Sequence, residues 1–290
     1  MSNKSKSKNK TTKRNKTTKR NKTKTKSKSN RNKTKKRNKL YSDNFHVLNL
    51  IIYDNTSSYE KKMKNEIEKL HNFKNHHFVK QFFICFKNDI KSSIKEDGNV
   101  LYIKGEETFT PGILDKTIKA IEYCVGKYNF NYLVRSNISS VIDFNKIPYY
   151  KIPQDKIGYG STKILKLNWL DQKSGIHDKS YFKTKFASGT NIILNKLGVK
   201  YLLDNKKNID MTIIDDVSIG IIMKKITTPI VICNESILTD AISKSKTCST
   251  FAVNKIHKNG SVFRNKSKSR KWDVTRMKKI VNMVIKNKNE

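Results

Sequence analysis

Two short segments hold the residues whose types and spacing could do chemistry. Phe186-Ala-Ser-Gly-Thr-Asn-Ile-Ile-Leu194 places Ser188, Gly189 and Thr190 in a small-residue turn, and Ile214-Asp-Asp-Val-Ser-Ile-Gly220 places Asp215 and Asp216 together about twenty residues later. A glycine turn lets a ligand approach the backbone closely. A carboxylate beside such a turn can take a proton from a bound hydroxyl. The same pair also suits the first turn of a helix, where negative charge faces exposed amide groups, so the spacing alone leaves a structural role open.

A third segment, Tyr132-Leu-Val-Arg-Ser-Asn-Ile-Ser-Ser140, runs from apolar into polar residues and offers Arg135, Asn137 and Ser139 at its end. Arg135 could equally serve only as the partner of an acidic neighbour. Further on, Lys255, Lys258, Arg264, Lys266, Lys268, Arg270 and Lys271 form a basic tract, with His257 inside it. By default such a tract is a solvated loop, and a lone histidine is more often structural than functional.

The elements that must position these residues alternate. Val47-Leu-Asn-Leu-Ile-Ile-Tyr53 reads as a buried strand. Ser57 three residues before Glu60 is a capping box for a helix whose Tyr59, Met63, Ile67 and Leu70 share one face. Gln81–Phe86 and Val100–Ile103 read as strands. Thr110 with Pro111 starts a second helix lined by Ile113, Leu114, Thr117, Ile118, Ile121 and Val125, and Tyr132–Val134 is a fourth strand. This β-α-β-β-α-β order implies an α/β layered domain that binds ligands beyond the carboxyl ends of its central strands. An irregular stretch from Pro148 to Ser180 follows, containing the strand-like Lys163–Trp169. Thr228–Cys233 is a late strand, and Asp273 caps a last helix carrying Val274, Met277, Ile280, Val281 and Val284.

Composition sets the bounds. The 290 residues include 62 Lys+Arg and 24 Asp+Glu, a formal charge of +38. Residues 1–39 hold 19 basic side chains and no acidic one, which leaves 43 basic and 24 acidic over the other 251. That tail repeats Lys10-Thr-Thr-Lys-Arg-Asn-Lys16 as Lys16-Thr-Thr-Lys-Arg-Asn-Lys22 and has almost no apolar residue to bury. Residues 1–40 are therefore expected to be disordered, and residues 41–290 to form one domain. The tail could tether a polyanion, nucleic acid among them, or could be a solvated extension only. No apolar run reaches the roughly 20 residues that span a bilayer, and no signal-like segment opens the chain. Cys85, Cys124, Cys233 and Cys248 are scattered without metal-site spacing and read as reduced structural thiols.

Taken in order, these segments resemble the β-1,3-galactosyltransferase-like families of the GT-A glycosyltransferase fold. Leu133-Val-Arg-Ser136 stands where that family's strand approaches its Asp-x-Asp motif. Ala187-Ser-Gly-Thr190 with Ile192–Leu194 resembles its Ser-Gly block, and Asp215-Asp-Val217 with Gly220 looks like its Glu-Asp-Val-x-x-Gly. The likeness covers most of residues 45–225. It implies a GT-A-like, Rossmann-type mixed sheet flanked by helices, and transfer of a sugar from a nucleotide-sugar donor, a UDP-sugar, to an acceptor hydroxyl with inversion.

Under that resemblance Asp216 is the base, and Asp215 holds the site or shares the role. Ser188, Gly189 and Thr190 bound the donor or acceptor pocket, Arg135, Asn137 and Ser139 lie near the nucleotide, sugar or diphosphate, and His257 lies near the cleft. The departure is at the metal motif: Asn137 and Ser139 occupy the Asp-x-Asp places, and neutral groups are poor ligands for a hard divalent cation. Relatives in the branching N-acetylglucosaminyltransferase and xylosyltransferase group neutralise the leaving diphosphate with basic side chains, a part Arg264 and Lys266 could play here. No metal or other cofactor is thus expected, a divalent ion being the disfavoured alternative. The acceptor, glycan or protein, is not implied. An inactive relative that binds nucleic acid or another polyanion through the tail is the competing reading. The absence of a membrane anchor suggests a cytoplasmic protein, and the lysine-rich composition a virus-infected cell or virion.

Overall fold

The computed structural model describes residues 44–74, 76–233, 235–239, 261–266 and 270–286. The expectations for residues 1–40, Cys248, Lys255, His257, Lys258 and Lys268 lie outside these residues, as does the side chain of Lys266. No helix among the described residues is long and apolar enough to cross a membrane.

The first half of the chain folds as β1 (Asn44–Ile52), α1 (Ser58–Lys74), β2 (Val79–Phe86), β3 (Ile94–Asp97), β4 (Val100–Ile103), α2 (Gly112–Lys127) and β5 (Asn129–Asn137). Strands β4, β2, β1 and β5 lie side by side in that order, each parallel to its neighbour. A parallel sheet is covered on both faces, which is why its strands are nearly continuous apolar runs. Ile51, Phe83 and Cys85 pack on Met63, Ile67 and Leu70 of α1. Leu48, Leu50, Phe82 and Ile84 face the other way, against Leu114, Ile118, Ile121 and Cys124 of α2. Because β1 has β2 on one side and β5 on the other, with crossover helices on opposite faces, the sheet reverses direction of growth between β1 and β5.

The second half comprises β6 (Ser140–Ile142), β7 (Tyr159–Ser161), β8 (Ile164–Lys166), β9 (Lys185–Ala187), β10 (Asn191–Asn195), α3 (Lys196–Asp204), α4 (Asp215–Met223), β11 (Ile230–Val231), β12 (Glu235–Thr239), β13 (Val262–Lys266) and α5 (Arg270–Lys286). β10 joins β5 antiparallel, β7 follows antiparallel, and β11 closes that edge, which makes an eight-stranded mixed sheet with β3 at the far edge. Separately, β12, β13 and β6 form a three-stranded sheet and β8 and β9 a ribbon. The expected α/β architecture of a mixed sheet flanked by helices is the one observed.

Several details differ from expectation. Tyr59 is exposed rather than part of the buried face of α1. Ser57 Oγ accepts the Glu60 N–H at 3.3 Å, but the Glu60 carboxylate reaches back to the Asp54 N–H at 2.8 Å rather than to its own cap. The N-cap position of α2 is Pro111, with no side-chain cap; the Thr108 hydroxyl accepts the Gly112 N–H at 3.0 Å, and the Thr110 hydroxyl donates to the Lys173 carbonyl. Strand structure in Lys163–Trp169 is limited to β8, and in Thr228–Cys233 to β11. Asp273 lies inside α5, not ahead of it, and is buried beside Arg270 at 3.4 Å. Cys85, Cys124 and Cys233 are free thiols.

Candidate functional site

A cleft of about 630 Å³ opens beyond the carboxyl ends of β1 and β5, at the point where sheet growth reverses. That is where open α/β sheets bind ligands, and the volume is within the roughly 300–1,000 Å³ of small-molecule sites. Tyr53 and Asp54 enter from the end of β1, and Asn137 and Ser139 from the end of β5. β13 pairs antiparallel with β6, setting Arg264 opposite Ser140, and so delivers Arg264 to the same cleft. Arg270 and Asp273 come from the start of α5.

The walls are cross-braced by charge. Lys116, only 1 % exposed, donates from Nζ to the Tyr53 carbonyl at 3.0 Å and to Glu107 at 2.6 Å, tying the end of β1 to the segment before α2. Arg270 lies 3.4 Å from both Glu60 of α1 and Asp273. Burial pushes the Glu60 carboxyl up, opposed by the Asp54 amide and by Arg270. Phe109 stands half-exposed at the mouth.

Next to the cleft, one guanidinium joins the remaining candidates. The antiparallel register sets Asn191 opposite Ser136 and Ile192 opposite Arg135, so the turn preceding β10 sits at the end of β5. There Arg135 Nη1 donates to the Gly189 carbonyl at 2.5 Å and to Asn137 Oδ1 at 3.0 Å, while Nη2 lies 2.5 Å from Asp215 Oδ2. That last contact is a charge pair without hydrogen-bond alignment, and among the described residues the Arg135 Nε–H has no acceptor. Arg135 and Asp215 are both almost fully buried.

Asp216 remains partly accessible. Its Oδ2 accepts the Gly189 N–H at 3.0 Å and its Oδ1 the Val217 N–H at 2.9 Å. Loss of water around it and then the neighbouring charge of Asp215 raise its pKa, against Arg135 and the two amides, and it is pushed up to about 6.

The structure therefore brings Arg135, Asn137, Gly189, Asp215 and Asp216 into one connected group, with Asn137, Ser139 and Arg264 on the cleft wall. Ser188 and Thr190 do not line that cleft; their hydroxyls lie 3.2 Å apart, and Thr190 is buried. Arg135 faces its protein partners rather than the cleft. Sequence reasoning missed Lys116, Glu107, Phe109 and Asp54. A lysine between Leu114 and Thr117 on an apolar helix face was the available signal for the first, and the others had none.

The residues at the Asp-x-Asp places do not fit a divalent cation. Asn137 Oδ1, the oxygen that would have to coordinate it, is turned onto the Arg135 guanidinium, and Ser139 is buried with only a hydroxyl to offer. Among the described residues no three His, Cys, Asp or Glu side chains converge so as to hold a metal.

No protein-family model matches the chain, and no curated protein matches it in sequence. Among solved structures it is similar to a glycosyltransferase involved in the glycosylation of the major capsid of PBCV-1, with a TM-score of 0.45 and 11 % identity over 80 % of this chain and 98 % of that one. It is also similar to the galactosyltransferase LgtC in complex with donor and acceptor sugar analogs, with a TM-score of 0.40 and 10 % identity over 82 % of this chain and 95 % of that one.

Proposed function

We propose that the protein is an inverting glycosyltransferase that moves a sugar from a nucleotide diphosphate donor, a UDP-sugar, to an acceptor hydroxyl without a metal ion. The observation that carries this reading is the hydrogen-bonded chain from Asn137 on the cleft wall through Arg135 and Gly189 to Asp216. It sets a carboxylate with a pKa of about 6 beside a ligand-sized cleft at the switch point of the sheet. A base poised slightly below neutral pH is ionised when it must accept a proton, yet basic enough to do so.

In this reaction Asp216 takes the proton of the acceptor hydroxyl as the hydroxyl oxygen bonds to the anomeric carbon. The bond from that carbon to the diphosphate oxygen breaks, and the nucleoside diphosphate leaves with the electron pair. Attack from the opposite face inverts the anomeric centre. Arg264 and Arg270, both on the cleft, offset the charge that develops on the leaving group. Asp215, tied to Arg135, acts through Asp216 and not on substrate.

The test is a panel of nucleotide sugars assayed with the full chain for binding by calorimetry and for turnover, with Mn²⁺ and with chelator. Binding and turnover that survive chelation are expected. Failure to bind any donor under either condition would end this reading, whereas strict metal dependence would overturn only the metal-free part.

The charge of residues 1–39 favours a second reading, a catalytically inactive protein that binds a polyanion through its tail. Deleting residues 1–39 separates the two. Loss of nucleic-acid affinity with a smaller salt slope supports tail binding, and donor binding that persists in the truncated chain supports the transferase.

A further inference from the structure

Asp215 and Asp216 are adjacent carboxylates in the first turn of α4, and the Arg135 guanidinium acts on both through its charge. It does not serve them equally. Arg135 Nη2 contacts Asp215 at 2.5 Å, while Asp216 is held by two neutral amides, those of Gly189 and Val217. Two carboxylates in one water-poor site do not both stay charged cheaply; burial and the neighbouring charge of Asp215 favour the protonated form of Asp216, which the guanidinium does not touch.

The same guanidinium also grips the carbonyl of Gly189, whose own N–H is the donor to Asp216. Its remaining acceptor is the Asn137 amide oxygen. A carboxylate at 137 would be a further acid on one arginine; it would loosen the hold on Asp215 and add negative charge near the pair. The buried phenol of Tyr159 on β7 also faces the pair, and its oxygen accepts the Ala187 N–H at 2.8 Å.

We infer that Arg135 is a positioning residue that divides the roles of the two carboxylates: it holds Asp215 as a fixed counter-ion, leaves Asp216 to exchange the proton, and requires a neutral amide at Asn137. Identifying that exchange with catalysis rests on the transferase reading, but the exchange itself needs no donor. The departure from an acidic motif at position 137 then follows from local charge balance.

The experiment is a ¹³C side-chain carboxyl NMR titration of the full chain, with resonances assigned from Asp215→Asn and Asp216→Asn. In the wild type Asp216 should titrate with a transition near pH 6. In Asn137→Asp the Asp216 transition should rise by about one pH unit, the low end of what a nearby like charge does. A wild type whose Asp216 titrates in the ordinary carboxylate range overturns the inference, and so does a folded Asn137→Asp whose Asp216 transition has not moved. The wild-type titration decides the assignment even if the variant does not fold. Donor turnover is read separately: the expected titration without turnover removes the transferase reading alone, and turnover with an Asp216 transition in the ordinary range removes this inference alone.

Discussion

Gly189 donates its N–H to Asp216 Oδ2 at 3.0 Å, and a Cβ on Gly189 would meet that same oxygen at 3.2 Å and Arg135 Nη1 at 2.9 Å. The glycine is thus required by close approach of two charged groups. Gly189→Ala should displace Arg135 or Asp216 by a few tenths of an ångström. Turnover should fall by up to about 10²-fold, the scale of a small misplacement in a catalytic group, with little change in the thermal midpoint. Wild-type turnover in this variant would place the chemistry elsewhere.

Asp216→Asn separates activity from stability. Under the proposed reaction Asp216 is the base, and its removal should lower turnover by about 10²–10⁴-fold and leave donor affinity nearly intact. Stability should change with pH. The folded pKa of about 6 lies above the ordinary 3.8, so the folded state binds more protons than the unfolded between those values, and this group makes stability fall as pH rises through that window. With partial solvent access the charged form costs about 1–2 kcal/mol above pH 6. Asn has one acceptor oxygen where the carboxylate accepts the Gly189 and Val217 amides with both, so the titration dictates a trend: the stability of the Asn variant relative to wild type should rise from pH 3.5 to pH 8 in urea melts at the two pH values. In the wild type kcat/KM should decline as pH drops below about 6.

Arg270 is half-exposed, and its contacts to Glu60 and Asp273 are both 3.4 Å long. Such pairs contribute at most about 1 kcal/mol to folding, so Arg270→Ala and Arg264→Ala should fold normally. Each should weaken binding of UDP by about tenfold, an amount that shrinks with added salt, while binding of uridine is unchanged. Equal weakening of UDP and uridine would mean that neither arginine meets the diphosphate.

Tyr159 is 1 % exposed, and its phenol oxygen is the acceptor for the Ala187 N–H at 2.8 Å. Tyr159→Phe leaves that buried amide unpaired, at a cost of about 1–3 kcal/mol. For a chain of this size the midpoint should drop by about 5 °C in calorimetry. An unchanged midpoint would show that β9 finds another acceptor.

Much of the fold was legible because burial on both faces of a parallel sheet leaves runs such as Val47-Leu-Asn-Leu-Ile-Ile52, and crossover helices leave a periodic stripe such as Met63, Ile67 and Leu70. Strand β3, Ile94-Lys-Glu-Asp97, was not legible, since an edge strand of four residues buries too little to leave a pattern. The start of α2 lies one residue beyond the expected one, with Pro111 at the cap position rather than first in the helix, because only the course of the backbone fixes where the first turn begins. Lys116 was passed over because a buried lysine is stable only with its counter-charge, and Glu107 lies on a different segment.

Local order along the chain determined the alternation of strands and helices, the polar end of β5, the glycine turn and the carboxylate pair at the start of α4, all of which follow from side-chain period and backbone preference. Which of those groups meet was decided only by tertiary structure. Arg135 reaches Gly189 across 54 positions because β10 pairs antiparallel with β5 in a register that sets the intervening turn over Asn137. That Asp215 touches the guanidinium while Asp216 accepts the Gly189 amide, though the two are identical side chains one residue apart, is likewise decided by packing. Strand register and burial of charge are long-range properties, and no spacing within either motif encodes them.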